Sequence, residues 1–151
     1  LFSCLLVMTD EHYTQRAREQ ARIAFDKDEV PVGAVIVCRD RIIARAHNLT
    51  ETLHDEPAHA EKQSSTEAAD TLNGKYLDVC TLYVTVVPCS MCAGAIGWSQ
   101  MGRVVYGAPD VKRGFARFAP QALHPKTEVV SGVLEAECAA LMKDFFKKKR
   151  V

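Results

Sequence analysis

The chain has 151 residues, 48% hydrophobic and 25% charged, and its 19 Lys and Arg are balanced by 19 Asp and Glu. That length suits one domain with a core of its own. Zero net charge excludes a chain-wide attraction to polyanions and leaves only local basic clusters to meet one.

Leu1–Met8 (LFSCLLVM) is apolar, too short to cross a bilayer, and without the charged start and cleavage site of a signal peptide. It reads as a leader foreign to the domain, which is expected to occupy residues 9–151. No other stretch approaches membrane length. Thr9 is suited to cap a helix, with Asp10 and Glu11 in the first turn. Tyr13, Ala17, Ala21, Ala24 and Phe25 recur near helical spacing and carry that helix to about Phe25. Pro31 opens a strand over Val32–Cys38, where the small Gly33 and Ala34 imply close approach of another backbone or a ligand. Arg39-Asp40-Arg41 predicts a tight turn, and Ile42–His47 the antiparallel return strand.

Asn48–Pro57 is a polar loop. Ala58–Leu72 is helical by composition, with a polar centre at Lys62-Gln63-Ser64-Ser65-Thr66, and Asn73-Gly74 is its stop signal. Cys80–Val87 is the most apolar strand and is expected at the centre of the sheet. Ser90 to about Met101 reads as a helix whose Ala93, Gly94, Ala95 and Gly97 predict close packing on the sheet. Arg103–Ala108 is another strand, residues 109–126 a loop with room for a short helix, and Glu128–Val133 a short strand. Leu134–Arg150 closes the chain as an amphipathic helix with Leu134, Cys138, Leu141, Met142 and Phe145 on one face. Its basic end is Lys147, Lys148, Lys149 and Arg150. Strands alternating with helices predict a single α/β domain with helices on both faces of the sheet.

Six cysteines occur, at 4, 38, 80, 89, 92 and 138. Cys38, Cys80 and Cys138 lie in apolar stretches and are expected as buried free thiols in a reducing, cytoplasmic setting. Cys89 and Cys92, directly behind Pro88, have metal-ligand spacing, and His59 and Glu61 lie upstream. His59, Cys89 and Cys92 form a three-ligand set of the kind zinc prefers, and catalytic zinc keeps a fourth position for water, whose pKa it lowers to about 7. Glu61 would move that proton, help typically worth about 10²–10⁴-fold. Cys89, Cys92 and His59 all fall at predicted helix starts, where the amide dipoles favour thiolates. Positions two apart on a regular helix diverge by about 200°, so His59 and Glu61 can share a site only if the first turn is half-formed. The competing reading is a closed structural site completed by His47, His54, Cys38 or Cys80, none of which has recognisable spacing to the pair.

The pattern His59-Ala60-Glu61…Pro88-Cys89-Ser90-Met91-Cys92 is the signature of zinc nucleobase deaminases. Together with Glu29-Val30-Pro31-Val32-Gly33-Ala34, Asn48, Leu82–Thr85, Pro88–Ala95, Gly102–Ala108 and Glu137–Leu141, it makes the chain resemble bacterial tRNA-specific adenosine deaminases from about Asp10 to Arg150. The resemblance implies a cytidine-deaminase-like fold: a three-layer α-β-α sandwich on a five-stranded mixed sheet, normally a homodimer. It implies conversion of adenosine to inosine at the tRNA wobble position, with one Zn2+ per chain held by His59, Cys89 and Cys92 and with Glu61 shuttling protons. Asn48 would hydrogen-bond the flipped base, and Val32 and the Ala60 backbone would line the pocket. Asp110 would contact the neighbouring ribose. Lys112, Arg113 and the run Lys147–Arg150 would meet phosphates of a tRNA anticodon arm or other single-stranded nucleic acid.

The chain departs from the family's pattern within the catalytic segments. Val87 stands where a Glu usually precedes Pro-Cys, and Lys62, Ser64 and Ser65 replace more apolar residues after Glu61. Such neighbours orient metal ligands, and a buried Lys62 would need a partner or a route to solvent. The plainer roles are a turn for Asn48 and for Pro109-Asp110, a solvated helix end for Lys147–Arg150, and packing for Trp98. Two other functions compete: a guanine or free-nucleoside deaminase, which needs neither Asp110 nor the basic tail, and an inactive RNA-binding homologue, motivated by Val87 and Lys62.

Overall fold

The computed structural model describes residues 8–149. The expectation of a leader over residues 1–8, apart from Met8, and that of a phosphate contact at Arg150 lie outside the described residues. Helix α1 (Asp10–Asp26) begins as the cap residue predicts, with Thr9 Oγ1 accepting from the His12 amide at 3.1 Å. Strands β1 (Gly33–Cys38) and β2 (Arg41–His47) form an antiparallel hairpin. Its two-residue turn places Arg39 and Asp40 at φ 52° and 63°, the mirror-image turn that matches strand twist.

Helix α2 (Ala60–Leu72) starts two residues later than composition suggests and ends on Asn73 in the left-handed conformation. Strand β3 (Cys80–Val86) is followed by α3 (Ser90–Trp98), then β4 (Arg103–Ala108), the one-turn α4 (Phe115–Phe118), β5 (Glu128–Val130) and α5 (Glu135–Lys149). Helix α3 stops short of the expected Met101 because Gln100 turns to φ 56°. Strand β5 is shorter than expected because the chain turns away through Gly132 at φ 82° and Leu134 at φ 52°.

The strand order is β2-β1-β3-β4-β5, with β3 central as its composition predicts. Strand β1 pairs antiparallel with β2 and β3, while β3–β4 and β4–β5 are parallel. Alternation sorts the two faces. Ala34, Ile36, Cys38, Leu82 and Val84 join the core under α2 and α3, and Val35, Val37, Tyr83 and Val105 join the core under α1. With α5 beside α1, the result is the expected three-layer α-β-α sandwich on a five-stranded mixed sheet.

Two glycines mark where backbones touch. A Cβ on Gly33 would stand 2.1 Å from the Ala17 carbonyl oxygen, so the small residue at the start of β1 lets α1 lie directly on the strand. A Cβ on Gly97 would stand 2.0 Å from the Ala122 carbonyl oxygen, so this α3 glycine admits the loop after α4. The expectation that all four small residues of α3 pack on the sheet is therefore corrected: Ala93 is buried, but Gly94 meets nothing and Ala95 is exposed. Trp98 does not pack either, being 87% exposed at the end of α3. Cys38, Cys80 and Cys138 are buried free thiols.

Opposite the helix starts of α2 and α3, the sandwich is clamped by Arg103. Its guanidinium donates to both oxygens of Asp10 at 2.7 Å, and the Tyr83 hydroxyl donates to the same carboxylate at 2.9 Å. The Arg103 bond holds the Asp10 carboxyl below its ordinary range, against the opposing effect of burial. No helix among the described residues is long and apolar enough to cross a membrane.

Candidate active site

The helix starts of α2 and α3 meet at the carboxyl end of β3. His59 is the N-cap of α2 and Cys89 the N-cap of α3, both in extended backbone, and Cys92 lies in the first turn of α3. Because His59 (φ −79°, ψ 153°) precedes the helix, the 3.6-residue period does not separate it from Glu61. His59 Nδ1 is 3.7 Å from Cys89 Sγ and 3.4 Å from Cys92 Sγ. Ligands at zinc bond lengths of about 2.0–2.3 Å in a tetrahedron stand about 3.5 Å apart, so these three side chains fit zinc. They are the group of His, Cys, Asp and Glu residues among the described residues that could hold a metal, with ligand atoms within 4.8 Å of one another.

The two thiols are driven apart in acidity. The hydrogen bond from Cys92, aided by His59, pushes the Cys89 thiol down to about 4, and the same bond together with burial drives Cys92 up. The bond to Cys89 raises His59 despite its burial. Burial lifts Glu61 to about 7, with the nearby His59 opposing.

His59, Glu61 and Cys89 line the floor of a cavity of about 500 Å³, and Cys92 is buried outside its lining. Val30, Val32 and Asn48 form one wall, and Asp110, Lys112 and Arg113 another. Asn48 is not merely a turn residue. Its side-chain oxygen accepts from the Ala60 amide at 2.9 Å, tying the loop after β2 to the start of α2. Ala60 is fully buried and touches the cavity through that bond rather than lining it. Asp110 is both a wall residue and a turn, since its Oδ1 accepts from the amides of Lys112 at 3.0 Å and Arg113 at 3.1 Å. The basic end of α5 is not in the cavity. Lys149 pairs with Asp28 at 2.5 Å, the Lys148 ammonium lies 5.2 Å from the Phe25 ring centre, and Lys147 is exposed.

Sequence reasoning missed two contributions. Thr50, Glu51 and Glu56 line the cavity from the polar loop, where no periodicity identifies a facing residue. Met142 and Phe146 close it from α5. The adjacent Phe145-Phe146 pair was the available signal: Phe145 is buried, so its neighbour, about 100° around the helix, faces elsewhere. Val87 is buried, bonds its amide to the Ala108 carbonyl at 2.9 Å, and separates the cavity from an apolar cleft beside Tyr106 and Val111. Lys62 is exposed and needs no buried partner.

A fourth protein ligand is absent from this cluster among the described residues. Cys38 and Cys80 face each other across β1 and β3, and His47 Nδ1 approaches Gln20 Oε1 at 3.4 Å. A larger open groove of about 650 Å³, beside His12, Asp40 and Arg41, holds no such group.

The sequence matches the MafB19-like deaminase family over residues 8–150. It is 44% identical over 146 residues to the tRNA-specific adenosine deaminase of Bacillus subtilis, an alignment covering 93% of this chain and 91% of that protein. The chain belongs to the tRNA-specific adenosine deaminase family. A solved structure from work on A-to-I editing by tRNA:A34 deaminases at the wobble position of transfer RNA superposes with a TM-score of 0.81 at 40% identity, covering 86% of this chain and 98% of that one. The fold reaches beyond tRNA-specific adenosine deaminases: a guanine deaminase from Bacillus subtilis superposes with a TM-score of 0.65 at 38% identity, covering 68% of this chain and 66% of that chain.

Proposed function

We propose that this chain is a zinc-dependent hydrolase that converts adenosine to inosine at the wobble position of tRNA. One observation carries the reading: a His-Cys-Cys ligand set reaches the cavity through His59 and Cys89, beside a buried carboxylate, Glu61, that lines the same cavity. A zinc ion held by His59, Cys89 and Cys92 would supply hydroxide at neutral pH. Glu61 takes up a proton from water and returns it to the substrate, so one water is consumed, the C6–N bond breaks, and ammonia leaves as C6 gains its oxygen. Its burial directs that exchange toward the substrate rather than bulk solvent.

The remaining residues bind and orient. With its oxygen held by Ala60, Asn48 keeps its NH₂ group for an acceptor atom of the base. Val30 and Val32 offer one apolar wall to a ring, and Met142 and Phe146 another. Lys112 and Arg113 at the mouth suit phosphates, and Asp110 keeps one carboxylate oxygen for a ribose hydroxyl. Lys147 is exposed and free to meet a phosphate, whereas Lys148 and Lys149 are already engaged with α1 and its flank.

A homodimer fits the outer face of α3, where Met91, Ala95 and Trp98 stand exposed at helical spacing and a second copy would cover them. The free thiols suit a cytoplasmic setting. The test is to offer the zinc-loaded protein a tRNA anticodon arm, single-stranded DNA, adenosine and guanine, and to read base conversion by mass. Inosine is expected first and fastest in the anticodon arm. Conversion of guanine alone would replace this reading with that of a guanine deaminase.

A further inference from the structure

Glu29 is fully buried, and among the described residues no lysine, arginine or histidine pairs with it. A carboxylate removed from water without a cation is costly unless several donors replace the water. Here four do. Oε2 accepts from the Thr52 amide at 2.7 Å and the Thr52 hydroxyl at 2.6 Å, and Oε1 accepts from the Glu51 amide at 3.1 Å and the Thr50 hydroxyl at 3.5 Å. Burial alone would raise this carboxyl, but the four bonds outweigh it and hold it below its ordinary range. The group is thus fixed as an acceptor, and every donor comes from one short stretch of the loop after β2.

The placement of the two joined segments gives the clasp a role. On the Glu29 side, its own amide donates to the Ala24 carbonyl at 2.9 Å, anchoring it to the end of α1, and Val30 and Val32 follow directly in the cavity wall. On the other side, Thr50 and Glu51 line the same cavity. Asn48 lies between the two segments, its amide bonded to the Val32 carbonyl at 3.1 Å and its side chain to Ala60. Without the clasp, the loop from residue 49 to 56 would keep few backbone links to its surroundings among the described residues: the Leu49 amide on the Ala58 carbonyl, the Ala58 amide on the Asp55 carbonyl, and bonds within the loop itself.

We propose that Glu29 is a positioning residue for substrate. Its carboxylate fastens the Thr50–Thr52 stretch against the end of α1, so that Asn48 and the adjoining wall stand in place before a base enters. The consequence for substrate binding rests on the deaminase reading above; the clasp itself does not. Preformed walls lower the ordering cost of binding, so loosening this one acts on KM more than on kcat.

The experiment uses zinc-loaded full-length protein and two variants. Glu29→Gln keeps the shape but turns an NH₂ group toward donors, and Thr52→Val removes one hydroxyl donor and keeps the carboxylate. Amide hydrogen exchange over residues 49–56 should quicken by about tenfold or more in Glu29→Gln and by less in Thr52→Val, with α3 unchanged. KM for the anticodon arm should rise by about tenfold in Glu29→Gln, with kcat within about threefold and zinc content unaltered. Exchange over 49–56 that stays at the wild-type rate in both variants, or a kcat loss with KM unchanged, overturns the proposal. If Glu29→Gln fails to fold, Thr52→Val decides by the same two readouts. If wild type turns over no substrate while the exchange result holds, the deaminase reading fails and the clasp stands.

Discussion

The floor and the walls of the cavity are built by different means. The floor is built on His59, Cys89 and Cys92, a group that could hold a metal, with the Glu61 carboxylate, all delivered by the first residues of two helices, where extended cap residues aim side chains at one point. The walls come from the segment before β1, the loop after β2, the loop before α4 and the side of α5, brought together only by the fold. They are held by backbone amides that donate to the side-chain oxygens of Glu29, Asn48 and Asp110. Damage to the floor should abolish the chemistry, whereas damage to the walls should weaken recognition and leave the metal in place.

The largest expected effect tests the floor. Cys89→Ser or His59→Ala should lose bound zinc and reduce inosine formation by about 10³-fold or more, because the metal's whole contribution goes with it. Metal analysis beside single-turnover rates checks both halves, and a zinc-free variant with wild-type rate would break the distinction. Next come the walls. Asn48→Ala leaves the buried Ala60 amide without its acceptor and should cost about 1–3 kcal/mol in denaturant unfolding. Asn48→Asp keeps an acceptor there and should retain more of that stability, yet lose the NH₂ group and raise KM by about tenfold.

Smaller effects sharpen the comparison. Neutralising Lys112 and Arg113 together should flatten the salt dependence of RNA binding by a slope of about 2. Neutralising Lys148 and Lys149 should change it less, since α1 and its flank already engage both. The smallest effect concerns the scaffold alone. Asp10 has a folded pKa below its ordinary 3.8, so its contribution is fully present above that value and is lost as pH falls through the lower folded one. Asp10→Asn should therefore be less stable than wild type near neutrality, and the gap should close in acid, as thermal melts across pH would measure.

The sequence made the floor legible because the ligands lie within short, rigid spacings around helix starts. Strand order was less so, although the apolar run of β3 marked the centre. The walls resisted reading where contacts run between distant segments. Nothing in the polar loop's composition announces that Thr50 and Thr52 bond a glutamate twenty or more residues earlier. Trp98 also misled, since a large apolar residue at a helix end predicts burial within the chain and is exposed instead. Lys62 raised concern only because local sequence does not reveal which face of α2 it occupies.

On the function proposed above, Glu61 carries the proton and holds no metal, which His59, Cys89 and Cys92 would bind. The direct measurement is zinc content and inosine formation in Glu61→Ala beside wild type, on the same anticodon arm. Equal zinc and equal RNA binding are expected, with inosine formation reduced by about 10²–10⁴-fold. Equal rates of inosine formation in the two proteins would contradict it.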